Sequence, residues 1–479
     1  MTKKTGKGGA CPSFFFNTGR FPSWFTKDLP MVAKLLVCIG FSAAVLLVPH
    51  PAGKEKPVVP VYRVVLDPGH GGANVFPVAM FGDRYDRISK SYLEVFREGS
   101  QGGGFEESVL MYRIAVKVSA LLKLTESDSG WETFRAMVSK YSASEPPRVV
   151  IQGFMSRKGT LPRQKLLKLK DPNHDYRLFD FPSGDETVAG RISVMNRLMP
   201  QLVVSFHCAQ SAAHDQLGMS SVICAPYSFM AKGLEVLQHK RSDASFFHSS
   251  KYSSWFEERS NRSLYRWFLS DTSMYFLGYP LNGSDRVNAA KFKGYRYNMV
   301  SWPYRDPDGW EKTAASHPAG TRYASSPESF LADGPYWDRE RSKFEEFRRD
   351  GGPEGFGGDN LYGGNEILRY TLTALAESGY QHPALRVAEP FLSVWSVPLY
   401  INAISAYVEL GYLREPAHQK MFREKLDVVA EGIAVGIYSL LAGTVPKPSS
   451  NAFRPKGEKL NLDKYRIDDT KTYFEASAQ

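Results

Sequence analysis

Hydrophobic and polar residues follow two different patterns along much of the chain, and the two patterns alternate. Short apolar runs rich in valine, such as Tyr62–Leu66, indicate strands that are buried on both faces of a sheet. Longer segments, such as Glu107–Leu122, repeat their apolar residues at helical spacing. The predicted strands are Tyr62–Leu66, Arg148–Ile151, Gln201–Phe206, Ser220–Cys224 and Ile404–Val408, and the predicted helices are Glu107–Leu122, Thr187–Met199, Asn365–Ser378 and Arg423–Leu441. This alternation predicts an α/β fold with a mostly parallel twisted sheet flanked by helices.

Four parts of the chain depart from this pattern. Residues 1–50 form an N-terminal extension in which a charged start, Met31–Lys34, precedes the apolar run Leu35–Val48. That run is shorter than the roughly 20 residues of a membrane span, so we expect a signal peptide or an uncleaved anchor, with Met31 as an alternative start. Residues 51–60 are a predicted linker, and residues 444–479 a loose tail. A large insertion rich in aromatic residues and arginine, at about 230–364, interrupts the remaining domain of residues 61–443.

Composition narrows the classes of partner. The chain has 479 residues, is 43% hydrophobic and carries a formal net charge of +10, so it can bury a core and attract anionic partners. It has no Walker loop and no zinc-finger spacing, which argues against nucleic acid. None of the four cysteines forms a C-x-x-C pair. Cys208 and Cys224 are either a bonded pair on neighbouring strands or, as we expect, two buried thiols.

Candidate metal-binding and catalytic residues lie at the predicted strand ends and at the start of one helix. His70 follows the first strand, within a cluster of glycines, and His207 follows the third. Glu409 follows the last strand, and Glu107 begins the helix after the first. In parallel sheets such positions meet at one edge, where two histidines and a carboxylate can hold zinc with one coordination position open. A fourth residue, a carboxylate beside that position, can act as a general base.

Four short motifs support this grouping because they occur in the order of a known family. They are Asp67–Gly72 (DPGHGG), Glu107 at the head of its helix, Gly190–His207, and Val408–Leu413 (VELGYL). The chain thereby resembles the zinc-dependent N-acetylmuramoyl-L-alanine amidases over roughly Val61–Ala225 and Asn365–Gly443. The resemblance implies that His70, Glu107 and His207 bind Zn²⁺ and that Glu409 is the catalytic base. Glu389, in VAEPFLS, imitates the last motif but lacks the glycine that follows Glu409.

The implied function is hydrolysis of the amide bond between N-acetylmuramic acid and L-alanine in peptidoglycan, by a protein exported to the periplasm or cell envelope. The implied partners are peptidoglycan and, as an option, an activator protein; contact with the membrane is expected only through an N-terminal anchor. Two alternatives stay open: another zinc peptidase or amidohydrolase of the envelope, and a non-catalytic wall-binding protein on the same fold. The residues after His207 and after Glu409 depart from the family pattern, which bears on the substrate contacts.

Overall fold

In the computed structural model of the chain, the described residues are 59–86, 91–211, 217–224, 281–282, 285–286, 358–393, 396–449 and 453–465. The predicted export segment, most of the predicted linker, almost all of the predicted insertion, and the end of the predicted tail lie outside these ranges. No helix within them is long and apolar enough to cross a membrane.

The described elements follow one another in the alternation that the sequence predicted. The strands are β1 (Val61–Pro68), β2 (Asp83–Asp86), β3 (Ser91–Glu94), β4 (Gln101–Gly102), β5 (Phe105–Glu106), β6 (Val150–Met155), β7 (Phe181–Ser183), β8 (Glu186–Val188), β9 (Leu202–Ala209), β10 (Ser220–Cys224), β11 (Leu281–Asn282), β12 (Asp285–Arg286), β13 (Phe391–Ser393) and β14 (Ile404–Tyr412). The helices are α1 (Val78–Phe81), α2 (Glu107–Lys123), α3 (Asp128–Ser139), α4 (Arg163–Leu166), α5 (Arg191–Arg197), α6 (Gly358–Glu377), α7 (Pro416–Glu424) and α8 (Leu426–Ala442).

The main sheet has six strands in the order β13-β10-β14-β9-β1-β6. All neighbouring strands run parallel except β10 and β14, which are antiparallel. The apolar run Val64–Leu66 in β1 is fully buried, because strands pair with both of its edges and it lies in the core. The predicted α/β class, with a mostly parallel sheet flanked by helices, is confirmed.

Helices cover one face of the sheet in two layers. Helix α2 packs on β1, β6 and β9, whereas α6 packs on β10 and β14. Helix α8 packs against both α2 and α6. Glycines let the helices α6 and α8 approach closely: a Cβ atom on Gly432 would lie 2.5 Å from the Cα of Thr371, and one on Gly436 would lie 2.8 Å from the Cα of Ile367.

Several predicted element boundaries were wrong. The helix predicted at Thr187–Met199 begins only at Arg191, because β8 pairs with β7 in a hairpin around Gly184. The helix predicted at Arg423–Leu441 is two helices, α7 and α8, that meet at Lys425. The chain there has neither proline nor glycine, so the sequence gives no signal of a break. Helix α6 extends upstream of the predicted Asn365, and α3 was not predicted.

The described part of the C-terminal tail is packed on the domain and is not loose as predicted. Leu460 and Tyr465 belong to the main core, and the Leu460 amide donates a hydrogen bond of 2.7 Å to the carbonyl oxygen of Leu440. The buried carboxylate of Glu366 accepts hydrogen bonds from the amides of Lys456 and Gly457, each of 2.7 Å. These long-range contacts, which leave no pattern in the local sequence, fix the segment.

Candidate metal and catalytic site

The turn after β1 places His70 beside the end of β9. The Gly69 amide donates a hydrogen bond of 2.8 Å to the carbonyl oxygen of Phe206, and a side chain on Gly69 would overlap the ring of His207. His70 itself has a left-handed backbone, with φ of 57°, and Gly71 after it has φ of 136°. A side chain at the second position would be strained. Gly69 is therefore required by the close approach to His207, and Gly71 by its backbone conformation and its contact with Tyr176.

The structure brings together the three predicted metal ligands. The Oε1 atom of Glu107 lies 3.5 Å from Nε2 of His70 and 3.2 Å from Nδ1 of His207. Ligand atoms of the three side chains all lie within 4.8 Å of one another. Two ligand atoms about 2.0–2.1 Å from a shared tetrahedral zinc ion would be about 3.3 Å apart, so the two shorter separations fit a common ion.

Backbone contacts orient these side chains. His70 Nδ1 is 2.9 Å from the carbonyl oxygen of Arg97, so Nδ1–H donates there and Nε2 is left with its lone pair. Glu107 Oε2 accepts a hydrogen bond of 2.6 Å from the Ser100 amide, and Oε1 accepts one of 3.0 Å from the Cys208 amide. The carboxylate is thus held in place before any ion binds.

The protonation states also suit a metal. Burial is the main cause that lowers the pKa of His70, so its imidazole is neutral. Burial alone would raise the pKa of Glu107, but His70 and His207 hold it below its ordinary value. Deprotonated ligands are the form that metals bind. Among the described residues, Nε2 of His207 is buried without a hydrogen-bond partner. Two imidazoles and a carboxylate therefore fit a divalent ion such as zinc.

Glu409 lines the same cavity as His70 and His207, two of the three candidate ligands. It pairs with His207 across the ladder between β14 and β9, and its Oε2 atom is buried with no hydrogen-bond partner within the described ranges. Burial, and secondly the carboxylate of Glu107, raise the pKa of Glu409 well above its ordinary value. A carboxyl group whose pKa is raised in this way is suited both to accept and to release a proton. Glu389, whose surroundings in the sequence imitate the last motif, does not line this cavity.

The position of the site differs from the prediction in one respect. His207 and Glu409 do not follow their strands but lie within them, because β9 continues to Ala209 and β14 to Tyr412. Their side chains line a cavity of about 260 Å³ on one face of the sheet. Alternate residues of β14, including Ala406 and Val408, belong to the core on the other face.

The cavity has an aromatic wall that sequence reasoning did not identify. It includes Phe96, Phe179, Tyr400 and Tyr407. The Tyr407 ring stacks on the imidazole of His207, with centroids 4.2 Å apart and planes 9° apart. Residues two apart in a strand share a face, so the position of Tyr407 relative to Glu409 could have predicted that both line the cavity.

A buried ionic network lies under the turn that carries His70. Asp67 accepts hydrogen bonds from Arg191 and, at 2.5 Å and 3.0 Å, from the hydroxyls of Ser156 and Ser205. Arg191 also donates to the carbonyl oxygen of His70, at 3.0 Å. Burial alone would raise the pKa of Asp67, but Arg191 and the hydrogen bonds hold it below its ordinary value. The network ties the position of His70 to a charge pair in the core.

Cys208 and Cys224 are buried and form no disulfide bond with each other, as expected. Cys208 lies next to the site, and its sulfur is not a partner in the metal-ligand group. Burial is the main cause that raises the pKa of its thiol well above the ordinary value.

Comparison with known proteins gives matches among solved structures alone. No protein-family model and no curated protein matches the chain. The chain is similar to the N-acetylmuramyl-L-alanine amidase Ami1 from Mycobacterium smegmatis, with 12% identity and a TM-score of 0.30, over 78% of this chain and 94% of that chain. The apo form of Ami1 from Mycobacterium abscessus gives 10% identity and a TM-score of 0.31, over 78% and 96%.

Both similar structures are N-acetylmuramyl-L-alanine amidases. At these values of identity and TM-score, however, the likeness carries no argument about the activity of this chain. The motifs and the geometry of the cavity are the observations that bear on its activity.

Proposed function

We propose that the chain is a zinc-dependent N-acetylmuramoyl-L-alanine amidase of the cell envelope. The observation that carries this proposal is the cluster of His70, Glu107 and His207 beside Glu409, which lines the same cavity as the two histidines. The first three have the separations of metal ligands, and the fourth has the surroundings of a proton carrier. The motifs that resemble the amidase family contain the same four residues.

Each residue has a definite task in this proposal. His70, Glu107 and His207 hold the ion, which when bound supplies a Lewis acid and activates a water nucleophile. Glu409 accepts a proton from the water as its oxygen bonds to the lactyl carbonyl carbon. It then returns the proton to the L-alanine nitrogen as the C–N bond breaks. The products are the muramic acid carboxylate and a peptide with a free L-alanine amino terminus.

We further propose that peptidoglycan is the substrate and that the chain is exported, with residues 1–50 as the export segment. The net charge of +10 suits an anionic wall polymer. Proteolytic mapping of the chain in a membrane fraction and in a soluble exported fraction distinguishes the two forms of the export segment. An uncleaved anchor keeps residues 1–50 in the membrane fraction, whereas a cleaved signal peptide leaves a shortened chain in the soluble fraction. Detection of the intact chain in the cytoplasm alone would contradict export.

The test of the activity uses the full-length protein and isolated peptidoglycan, with and without zinc. Mass spectrometry counts newly formed L-alanine amino termini on released peptides. Zinc-dependent release of intact stem peptides is expected. Cleavage within the peptides would instead identify a peptidase, and the absence of both zinc binding and cleavage would favour the wall-binding alternative.

The variant Glu409→Gln tests the role of the base. We expect normal zinc stoichiometry and a loss of about 10²- to 10⁴-fold in turnover, because the amide cannot accept the proton. Glu389→Gln is the matched control, since Glu389 lies outside the cavity, and it should retain activity. Turnover by Glu409→Gln at the wild-type rate would refute the assignment.

A further inference from the structure

Two polar groups that line the cavity are not used by the proposed reaction. They are the guanidinium of Arg97 and the hydroxyl of Tyr407. Within the described part of the chain, Arg97 has no side-chain hydrogen bond or ion pair, and the Tyr407 hydroxyl has no hydrogen bond. Nearby arginines are different: Arg191 pairs with Asp67, and Arg157 donates to backbone carbonyls. Arg97 is therefore an exposed cation on the lining of the cavity, without a partner among the described residues.

The two groups are held close to the candidate metal ligands and to each other. The carbonyl oxygen of Arg97 accepts the hydrogen bond from His70 Nδ1, which fixes the start of its side chain. The ring of Tyr407 is fixed by its stacking on His207. Burial raises the pKa of the Tyr407 phenol, and the guanidinium of Arg97 is near enough to oppose that shift. Arg97 forms no ion pair with Glu409 among the described contacts.

A planar guanidinium and a phenolic O–H are both donors, and together they match the oxygen atoms of a carboxylate. We propose that Arg97 and Tyr407 form a carboxylate-binding subsite that recognises an acidic residue of the stem peptide. The inference rests on the proposed function, and it adds a substrate preference that depends on charge.

The distance along the peptide is consistent with such a subsite. The scissile amide joins the lactyl group to L-alanine. The residue that follows L-alanine is therefore the second residue from the reacting carbonyl. At about 3.3–3.6 Å per residue, a carboxylate on that next residue lies about 7 Å away. This distance is comparable to the length of an arginine side chain, and Arg97 starts beside His70. In a stem peptide with a γ-linked glutamate at this place, the free α-carboxylate is the group that is bound.

The experiment compares two soluble substrates, N-acetylmuramyl-L-alanyl-γ-D-glutamate and its α-carboxamide. The full-length wild-type protein should prefer the carboxylate by about 10- to 100-fold in kcat/KM, as expected of a charge-assisted hydrogen bond. Arg97→Gln should lose this preference through slower cleavage of the carboxylate substrate, with the carboxamide little changed. Tyr407→Phe should lose part of it. Arg113→Gln, an exposed arginine of α2 outside the cavity, is the control and should keep the preference.

A binding measurement separates this inference from the proposed activity. Calorimetry with the dipeptide L-alanyl-γ-D-glutamate, and with its α-carboxamide, needs no turnover. Wild-type protein should bind the acid more tightly, and Arg97→Gln should bind both alike, with unchanged metal content. If neither substrate is cleaved but this difference is seen, the amidase proposal fails and the subsite stands. If both substrates are cleaved and bound alike by wild-type protein, the subsite is refuted and the amidase proposal stands.

Discussion

Replacement of Asp67 by alanine tests how strongly the core supports the candidate site. The Asp67 side chain is fully buried at the end of β1. Arg191, which pairs with it, is 4% exposed, and the neighbouring guanidinium of Arg157 is bonded to the carbonyl oxygens of Pro68 and Ser108. Burial, and secondly repulsion from Arg191, lower the pKa of Arg157 to about 9. The carboxylate of Asp67 is thus the compensating charge beside two buried cations.

The expected loss of stability in Asp67→Ala follows from the buried positive charge that would be left without its partner. Removal of one partner of a buried ion pair costs about 3–5 kcal/mol, because the other charge remains desolvated. Ser156→Ala removes one hydrogen bond but keeps the carboxylate, so a smaller loss of about 1–2 kcal/mol is expected. Asp175→Asn, at a carboxylate with an exposed side chain, is the matched control and should change stability by less than about 0.5 kcal/mol.

Denaturant unfolding of the three variants measures these differences, and a metal titration measures the effect on the site. Because Arg191 also holds the carbonyl oxygen of His70, Asp67→Ala should weaken metal binding by about 10- to 100-fold. Because the pKa of Asp67 is lowered in the folded state, its carboxylate contributes to the stability of the protein above its unfolded pKa of about 3.9. This contribution is lost as the pH falls below that value. A loss of stability for Asp67→Ala no larger than that of Ser156→Ala, at an unchanged denaturant slope, would refute the reasoning.

Two further predictions concern stability away from the site. Gly432→Ala should destabilise the protein by about 1–3 kcal/mol, because the new Cβ would lie 2.5 Å from the Cα of Thr371. Gly363→Ala should instead stabilise α6 by up to about 1 kcal/mol, because its new Cβ would lie 3.6 Å from the nearest neighbour. Equal denaturant midpoints for the two variants would contradict this prediction. Burial lowers the pKa of His418 to about 4, against about 6.5 when unfolded, so stability on the order of 3 kcal/mol is present above pH 6.5 and lost as the pH falls towards 4. Unfolding measured across this range should show the slope, and His418→Gln should reduce it; an unchanged slope would show that other groups cause it.

The sequence was most informative where chemistry and local pattern coincide. The glycines around His70 indicated a close backbone approach, and the structure shows that approach to His207. Helix α2 begins at Glu107, as its spacing predicted. The motif order correctly grouped His70, Glu107 and His207 in one place.

Other features depend on pairing between distant parts of the chain and could not be predicted. The ends of β9 and β14 are set by their mutual ladder, which continues through Glu409 and His207. Arg97 lies in a segment without periodicity, and its place is fixed by one hydrogen bond to His70. The packing of the C-terminal segment depends on Glu366, a residue that resembles any other charged position of a helix.

The position of β14 in the sheet bears on the order in which the molecule folds. This strand lies between β9 and β10 but comes from the last quarter of the chain, and it pairs with residues roughly two hundred positions earlier. During synthesis β1, β6 and β9 are complete while one edge of β9 still lacks its partner. Such an open edge is prone to wrong pairing, so the nascent chain is expected to need protection from aggregation. Glu409 arrives on this late strand, and a partly made chain therefore contains all three candidate metal ligands without the proposed base.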